Sequence, residues 1–278
     1  MVEITFNCEQ DLECLYRFLQ QHRKGNTFHL ELIESCGVRV SSAKQADSFI
    51  STLTALLMEY WLTYKEDGYL IAIIEKQFFF TDKDEKQELL HIAHSLMEGE
   101  RTEIPKVEEL GPRQELLQKA FELLLKPGLS FTFDSFSTFR LQAYFHRLRE
   151  YVEIAIEEYK LEQEYQNFIQ SLREYVIQHE SKITTLYIDH DEHFFVFDDQ
   201  LNLLSQKKLK SFIDRTFIYQ HPMYIDSGLL APLVSIAPEH IYLYTDDNDN
   251  GMIQTIQNIF QERLRVFSRD SFQLKRIK

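Results

Sequence analysis

A chain of 278 residues has room for one large domain or two small ones, and a content of 44% hydrophobic and 13% aromatic residues excludes global disorder. The net charge is −14, from 30 Lys and Arg against 44 Asp and Glu. Such a surface repels a phosphate backbone, and no Lys/Arg block offsets it, so nucleic acid is excluded as a partner.

Val2–Phe6 alternates and predicts a strand; it carries Glu3 and lacks the basic-then-apolar order of a secretory signal. Asp11 is expected to cap an amphipathic helix that buries Leu12, Leu15, Tyr16, Phe18 and Leu19, stopped at Gly25-Asn26. Phe28–Glu34 alternates again, Cys36-Gly37 turns it, and Val38–Val40 predicts a third strand. This β-α-β-β segment, residues 1–45, is too small to stand alone and is expected to pack on the rest. Cys8, Cys14 and Cys36 are odd in number and lack Cys-x-x-Cys spacing, which argues against a disulfide framework and for a reduced, cytoplasmic location.

Residues 46–180 read as a helical domain. Ala46–Tyr64 places Phe49, Leu53, Leu56, Leu57, Tyr60 and Trp61 on one face, with Gly68 as the interruption. Tyr69–Phe80 suits a buried helix or a strand; its helical neighbours favour helix. Its Tyr69–Ile74 portion is the longest apolar run, far below the roughly 20 residues that span a bilayer, so no membrane partner is expected. Asp82 or Asp84 starts a helix through Met97 that ends near Gly99. Glu100–Pro112 is a polar connection, Arg113–Leu125 a further helix stopped by Pro127-Gly128, and Leu129–Phe133 a short strand.

The chain is organised around the stretch Phe136–Gln178, which contains no Gly and no Pro and suits one continuous helix from Leu141 or two abutting ones. One apolar stripe runs Leu141, Phe145, Leu148, Val152, Ala155, Tyr159. A second runs Tyr151, Ile154, Leu161, Tyr165, Phe168, Leu172, Val176 on the other side. Both sides are therefore expected to be covered, by a surrounding core or, alternatively, by a second copy of the chain. A bend is expected near Tyr159–Leu161, where the stripe changes sides. Arg149, Glu153, Glu157, Lys160 and Glu164 form a salt-bridged solvated face; no Glu-x-x-His accompanies them, so a di-metal site is not indicated.

From residue 181 to 278 the texture becomes that of a small α/β layer. Thr184–Asp189 and His193–Phe197 predict a hairpin turned at Asp189–Glu192, Ser205–Ile218 a helix, and Leu229–Ile236 an apolar helix with Pro232 in its first turn and Pro238 as its breaker. Ile241–Tyr244 predicts a strand, Asp246–Gly251 a turn, Met252–Leu264 a helix and Arg265–Ser268 a last strand. Lys275, Arg276 and Lys278 are read as a solvated tail. The expected fold class is α+β, mainly helical, with a long central helix and small mixed β layers near both termini.

Chemistry-bearing patterns are weak. From Asp246 the turn satisfies D-x-[DN]-x-[DN]-G through Asn248, Asn250 and Gly251, but position twelve is Gln257 where an EF-hand needs Glu. Asp246, Asn248 and Asn250 are weak candidate ligands for calcium or a similar cation; the plainer reading is an Asx-rich turn capping the next helix. Glu88, His91 and His94 share one helical face without the His spacing of a zinc hydrolase. Asp189, His190, Asp191 and His193 cluster at a turn, where adjacent side chains diverge. Ser227-Gly228 lacks a nucleophile elbow, and Cys36 has no readable His partner. No catalytic residue and no cofactor is expected.

The run VEIAIEEYKLEQEYQNFIQSLREY, ending at Tyr175, with FDSFSTFRLQAY before it and LLAPLVSIAPEHIYLY after it, resembles the YtxC-like family of putative sporulation proteins in endospore-forming bacteria. The resemblance implies a cytoplasmic, sporulation-associated protein and supplies no catalytic residues. Together with the absence of a complete catalytic set, it leads to the expectation of a non-catalytic interaction or regulatory protein with a protein partner. The alternative is a metal-dependent protein or enzyme using Asp246–Asp249.

Overall fold

A computed structural model describes residues 1–22, 28–34, 36–42, 46–101, 104–214, 226 and 228–272. The fold is α+β and mainly helical, with two four-stranded mixed sheets. It divides into two compact units, Met1–Lys160 and Leu161–Lys278; the change in sequence texture at Ser181 falls inside the second.

In the first unit, β1 (Val2–Thr5) lies between β3 (Gly37–Ser42), antiparallel, and β4 (Ser130–Thr132), parallel, while β2 (Phe28–Ile33) pairs with the other edge of β3. Val2 faces Val40 and Ile4 faces Val38 in this register, and all four are fully buried. Gly37 is required where the backbones meet: a Cβ there would stand 2.8 Å from the carbonyl oxygen of Ile4. Helix α1 spans Glu9–His22, so Asp11 lies within its first turn and not at its cap. It still favours the helix, because a carboxylate near the N-terminus offsets the positive end of the dipole.

Helix α2 (Ala46–Tyr64) and α3 (Glu66–Lys76) break at Lys65, not at Gly68, which sits inside α3. Glycine is tolerated there because the apolar spacing resumes around it, with Glu66, Leu70, Ile73 and Ile74 buried. Tyr69–Lys76 is helix as expected; Phe78–Phe80 lies beyond its end. Asp82 caps α4 (Lys83–Met97), its carboxylate accepting from the N–H groups of Asp84 at 2.9 Å and Glu85 at 3.0 Å. Those backbone donors hold the Asp82 carboxyl below its ordinary range. The polar connection contains a short helix, α5 (Pro105–Glu108), started by its proline; α6 (Arg113–Leu124) and α7 (Phe133–Arg140) follow.

Helix α8 runs unbroken from Gln142 to Gln178, 37 residues or about 55 Å, and Leu141 separates it from α7. Both sides are covered over its first half: Leu148, Val152 and Ala155 are fully buried, and so, nearly, are Ile154 and Ile156. The expectation for Leu161 is overturned, since it is 56% exposed, and Tyr165 is only half-buried. Lys160–Glu164 are all exposed; Ile156 belongs to the core of the first unit and Phe168 to that of the second. Periodicity fixes the direction in which Leu161 points and does not supply a neighbour that buries it. Arg149, Glu153, Glu157, Lys160 and Glu164 are exposed, and Arg149 bonds Glu153 at 3.0 Å.

In the second unit β5 (Thr185–His190) and β6 (Phe194–Phe197) form the expected hairpin, and β7 (His240–Tyr244) and β8 (Leu264–Phe267) extend the sheet in parallel, in the order β6-β5-β7-β8. Helix α9 spans Gln206–Ser211, capped by Ser205; the part of the expected helix beyond residue 214 lies outside the described residues, as do Gly25-Asn26, Ser227 and the basic tail. All seven residues of α10 (Leu230–Ile236) are buried, Ser235 included, whose hydroxyl accepts from Asp214 N–H at 3.0 Å, and the helix ends on Ala237 in the left-handed region at φ 51°. Helix α11 spans Gly251–Phe260 and gives way to a 3-10 turn at Gln261–Arg263 before β8. Phe168, Leu172 and Val176 of α8 pack with Leu186, Ile188, Ile241 and Leu243 in this core.

Phe168→Ala, at a residue 6% exposed, is expected to lose about 3–5 kcal/mol, whereas Leu161→Ala stays within about 0.5 kcal/mol. Chemical denaturation of the full chain at several concentrations measures both. A midpoint that rises with concentration would point to a dimer interface instead.

Candidate functional site

The first unit contains a buried polar node made from residues far apart in sequence. Glu66 opens α3, Arg113 opens α6 and Tyr144 lies in the first turn of α8; they are 1%, 4% and 1% exposed. Arg113 holds Glu66 with both ends of its fork, Nε to Oε2 at 2.9 Å and Nη2 to Oε1 at 3.0 Å, and donates Nη1 to the Met97 carbonyl at 3.1 Å. Tyr144 donates its hydroxyl to Glu66 Oε2. Burial works against charge on Arg113, but the hydrogen bonds and charge of Glu66 outweigh it and hold its pKa above the ordinary arginine value. Burial, then the Glu66 carboxylate, pushes the Tyr144 phenol well up. These bonds join residues of α3, α4, α6 and α8, so the node ties four helices together.

Helix α2 has two apolar sides. Its core side carries Phe49, Leu53, Leu57 and Tyr60; the other carries Ile50, Thr54, Met58 and Leu62 at i,i+4 spacing. At 100° per residue the second row is turned by about 125° from the first, and its Ile50, Met58 and Leu62 also pack at the margin of the core. The second side, with α6 and the segment through Leu125 and Pro127, encloses a groove of about 800 Å³. Ile50, Met58 and Leu62 are half-buried on its floor, and exposed Ser51 and Ala55 leave it open to the helix backbone. Buried Thr54 has a hydroxyl without a hydrogen-bond partner among the described residues. The charged lining residues are Asp47, Glu59 and Glu122, all exposed carboxylates. The sequence reading missed this groove, although the i,i+4 run from Ile50 to Leu62 signals it.

The residues singled out from sequence are distributed as follows. Asn250 caps α11 by accepting from Met252 N–H at 3.0 Å, and Asp246 accepts from Arg269 N–H at 3.1 Å. Asp246 and Asn248 line a cavity of about 470 Å³ that also includes Gln257 and Ser268. His94 is bonded to Asp67 at 2.8 Å, while Glu88 and His91 are exposed. Asp189 and Asp191 both reach Arg269, at 3.2 and 2.6 Å; His190 turns inward, accepts or donates at Thr245 Oγ1 at 3.0 Å and stacks on Phe194; His193 is exposed. Strand alternation divides this cluster, as period two demands. Cys36 takes a left-handed conformation, φ 50°, and the three cysteines are free. Among the described residues no group of three or more His, Cys, Asp or Glu is placed to hold a metal ion. No helix among them is long and apolar enough to cross a membrane.

The YtxC-like family matches residues 51–265, which include the α2–α6 groove from Ser51 onward, the polar node and both halves of α8. The chain belongs to the YtxC-like family. It is 39% identical over 274 residues to a Bacillus subtilis (strain 168) protein described as uncharacterized protein YtxC, covering 98% of this chain and 96% of that one. No solved structure matches. In this YtxC-like chain the node is a fully buried ion pair, and the groove is a concave, partly apolar surface.

Arg113→Met is expected to destabilise the chain by about 3–5 kcal/mol, because it leaves Glu66 buried without its charge partner; Glu66→Leu combined with Arg113→Met recovers much of that loss. Because the raised Tyr144 phenol stays protonated in the folded chain, its share of stability is intact below about pH 10 and falls as the pH rises beyond that. Tyr144→Phe should flatten this decline. Denaturation midpoints between pH 7 and 11 check both statements.

Proposed function

We propose that this YtxC-like protein is a cytoplasmic, non-catalytic interaction protein of sporulating cells that engages a protein partner through the α2–α6 groove. The observation that carries the reading is the breadth of the apolar surface of α2: Ile50, Met58 and Leu62, packed at the margin of the core, remain half-buried and line an open groove. A helix that supplies only a core needs one apolar face. The association with sporulation is what the sequence resemblance around α8 implies; the family match carries membership of the YtxC-like family.

The test is deletion of the gene followed by complementation, scored as spore yield. Deletion is expected to lower the yield, the native gene to restore it, and a gene carrying Ala55→Trp, which fills the groove from an exposed position, to fail. Normal yield in the deletion strain would remove the sporulation role, and full rescue by Ala55→Trp would remove the groove.

A further inference from the structure

The length, lining and charge of the groove together name the kind of partner it fits. Along α2 the lining extends from Asp47 to Thr63, a rise of about 24 Å at 1.5 Å per residue. A helix 10 Å across, embedded to half its depth over that length, displaces about 900 Å³. The groove measures about 800 Å³. A compact organic ligand would leave most of its length empty; a helix of four to five turns fills it.

The lining specifies the faces of that helix. Met58 and Leu62 from α2 and Leu125 from the opposite wall offer an apolar floor. Ser51 and Ala55 present no bulk, so a partner backbone can approach α2 closely along its middle turns. Asp47, Glu59 and Glu122 stand around this floor, and among the described residues the lining contains no Lys, Arg or His. His22 reaches Glu59 at 3.4 Å and Gln118 bonds Glu122 at 2.7 Å; the described lining nevertheless carries three carboxylates. The whole chain carries −14, which adds long-range attraction for a cation and opposes a second copy of the same chain.

We infer that the α2–α6 groove receives a basic amphipathic helix of a partner protein, apolar on the side facing Met58, Leu62 and Leu125 and bearing Lys or Arg at its flanks toward Asp47, Glu59 and Glu122. This inference rests on the reading of the groove as an interaction surface and adds the chemistry of the occupant.

The probe is a fluorescein-labelled 16-residue peptide of leucine and lysine, with leucine at i, i+3, i+4 and i+7, measured by fluorescence anisotropy against the full chain in physiological salt. Two controls accompany it: a peptide with Glu in place of Lys, and one of the same composition scrambled to destroy the apolar face. The native protein is expected to bind the patterned Leu/Lys peptide at least tenfold more tightly than either control. Ala55→Trp, which leaves the charge unchanged, and Asp47→Lys with Glu122→Lys, which reverses the rim, should each weaken binding at least tenfold. Ser51→Phe on the same wall replaces Ala55→Trp if circular dichroism finds the latter unfolded. Equal binding of the scrambled peptide would reduce the effect to bulk charge and overturn the inference. Undiminished binding by the filled-groove variants, preference for the Glu peptide, no binding, or a dimer of the chain that occupies the groove would each overturn it as well. If the Leu/Lys peptide fails while Ala55→Trp still abolishes complementation, the interaction surface stands and only the basic helix is wrong.

Discussion

The first unit depends on a buried ion pair that cannot be left half-made. Moving Glu66 and Arg113 out of water is unfavourable by several kcal/mol per ion. The bidentate geometry offsets that loss only if α3 and α6 present their first residues to each other, with the end of α4 supplying the Met97 carbonyl. Tyr144 then uses a remaining lone pair of Glu66. An alternative arrangement of these helices strands a charge in an apolar core, so the node acts against misassembly as much as for stability. It also fixes the entry of α6 beside α2. Leu117 and Phe121 of α6 are fully buried beyond it, and Phe121 packs on Phe136 with ring centroids 4.6 Å apart.

The groove follows from that arrangement. Helix α2 gives its larger side chains to the core, where Trp61 meets Tyr69, Phe133 and Tyr144 in an aromatic cluster. With α6 held by the node, the row Ile50, Met58, Leu62 at the margin of α2's core face meets an incomplete wall. A surface helix ordinarily places polar residues there. Here Ile50, Met58 and Leu62 occupy the floor and the carboxylates are displaced to the rim, a distribution with an apolar centre and a charged edge.

The second unit resolves its acidic residues differently. Asp189, Asp191 and Asp246 converge on Arg269, through two side-chain contacts and one backbone N–H. Asn250 is taken up by the start of α11. These are the ends of β5, β7 and β8 and the loops after them, so the charge cluster organises the turns that let parallel strands connect. Arg263 performs a related task at the opposite end of α11, donating to the carbonyls of Val176 and Pro238 at 3.2 Å each.

Local physics made much of this chain legible from its sequence. Alternation over Val2–Phe6 and Phe28–Glu34 marked the strands found at Val2–Thr5 and Phe28–Ile33, because side chains of a strand point to opposite faces in turn. The absence of Gly and Pro with two apolar stripes marked α8; of the alternatives Asp82 and Asp84 the structure selects Asp82 as the cap of its helix, and the Asx-rich turn caps the last helix through Asn250. The carboxylate-rich face of α8 read correctly as solvated. Tertiary structure alone decided where those local preferences met a neighbour. Leu161 keeps the spacing of a buried residue and is exposed, since period specifies direction and not the presence of a packing partner. Glu66 and Arg113 lie 47 positions apart, and no local pattern distinguishes them from the solvated acids and bases around them. The groove was half legible: its floor is an i,i+4 run within α2, but whether that run faces core, water or a partner depends on α6, whose place is set by a contact between residues distant in the chain.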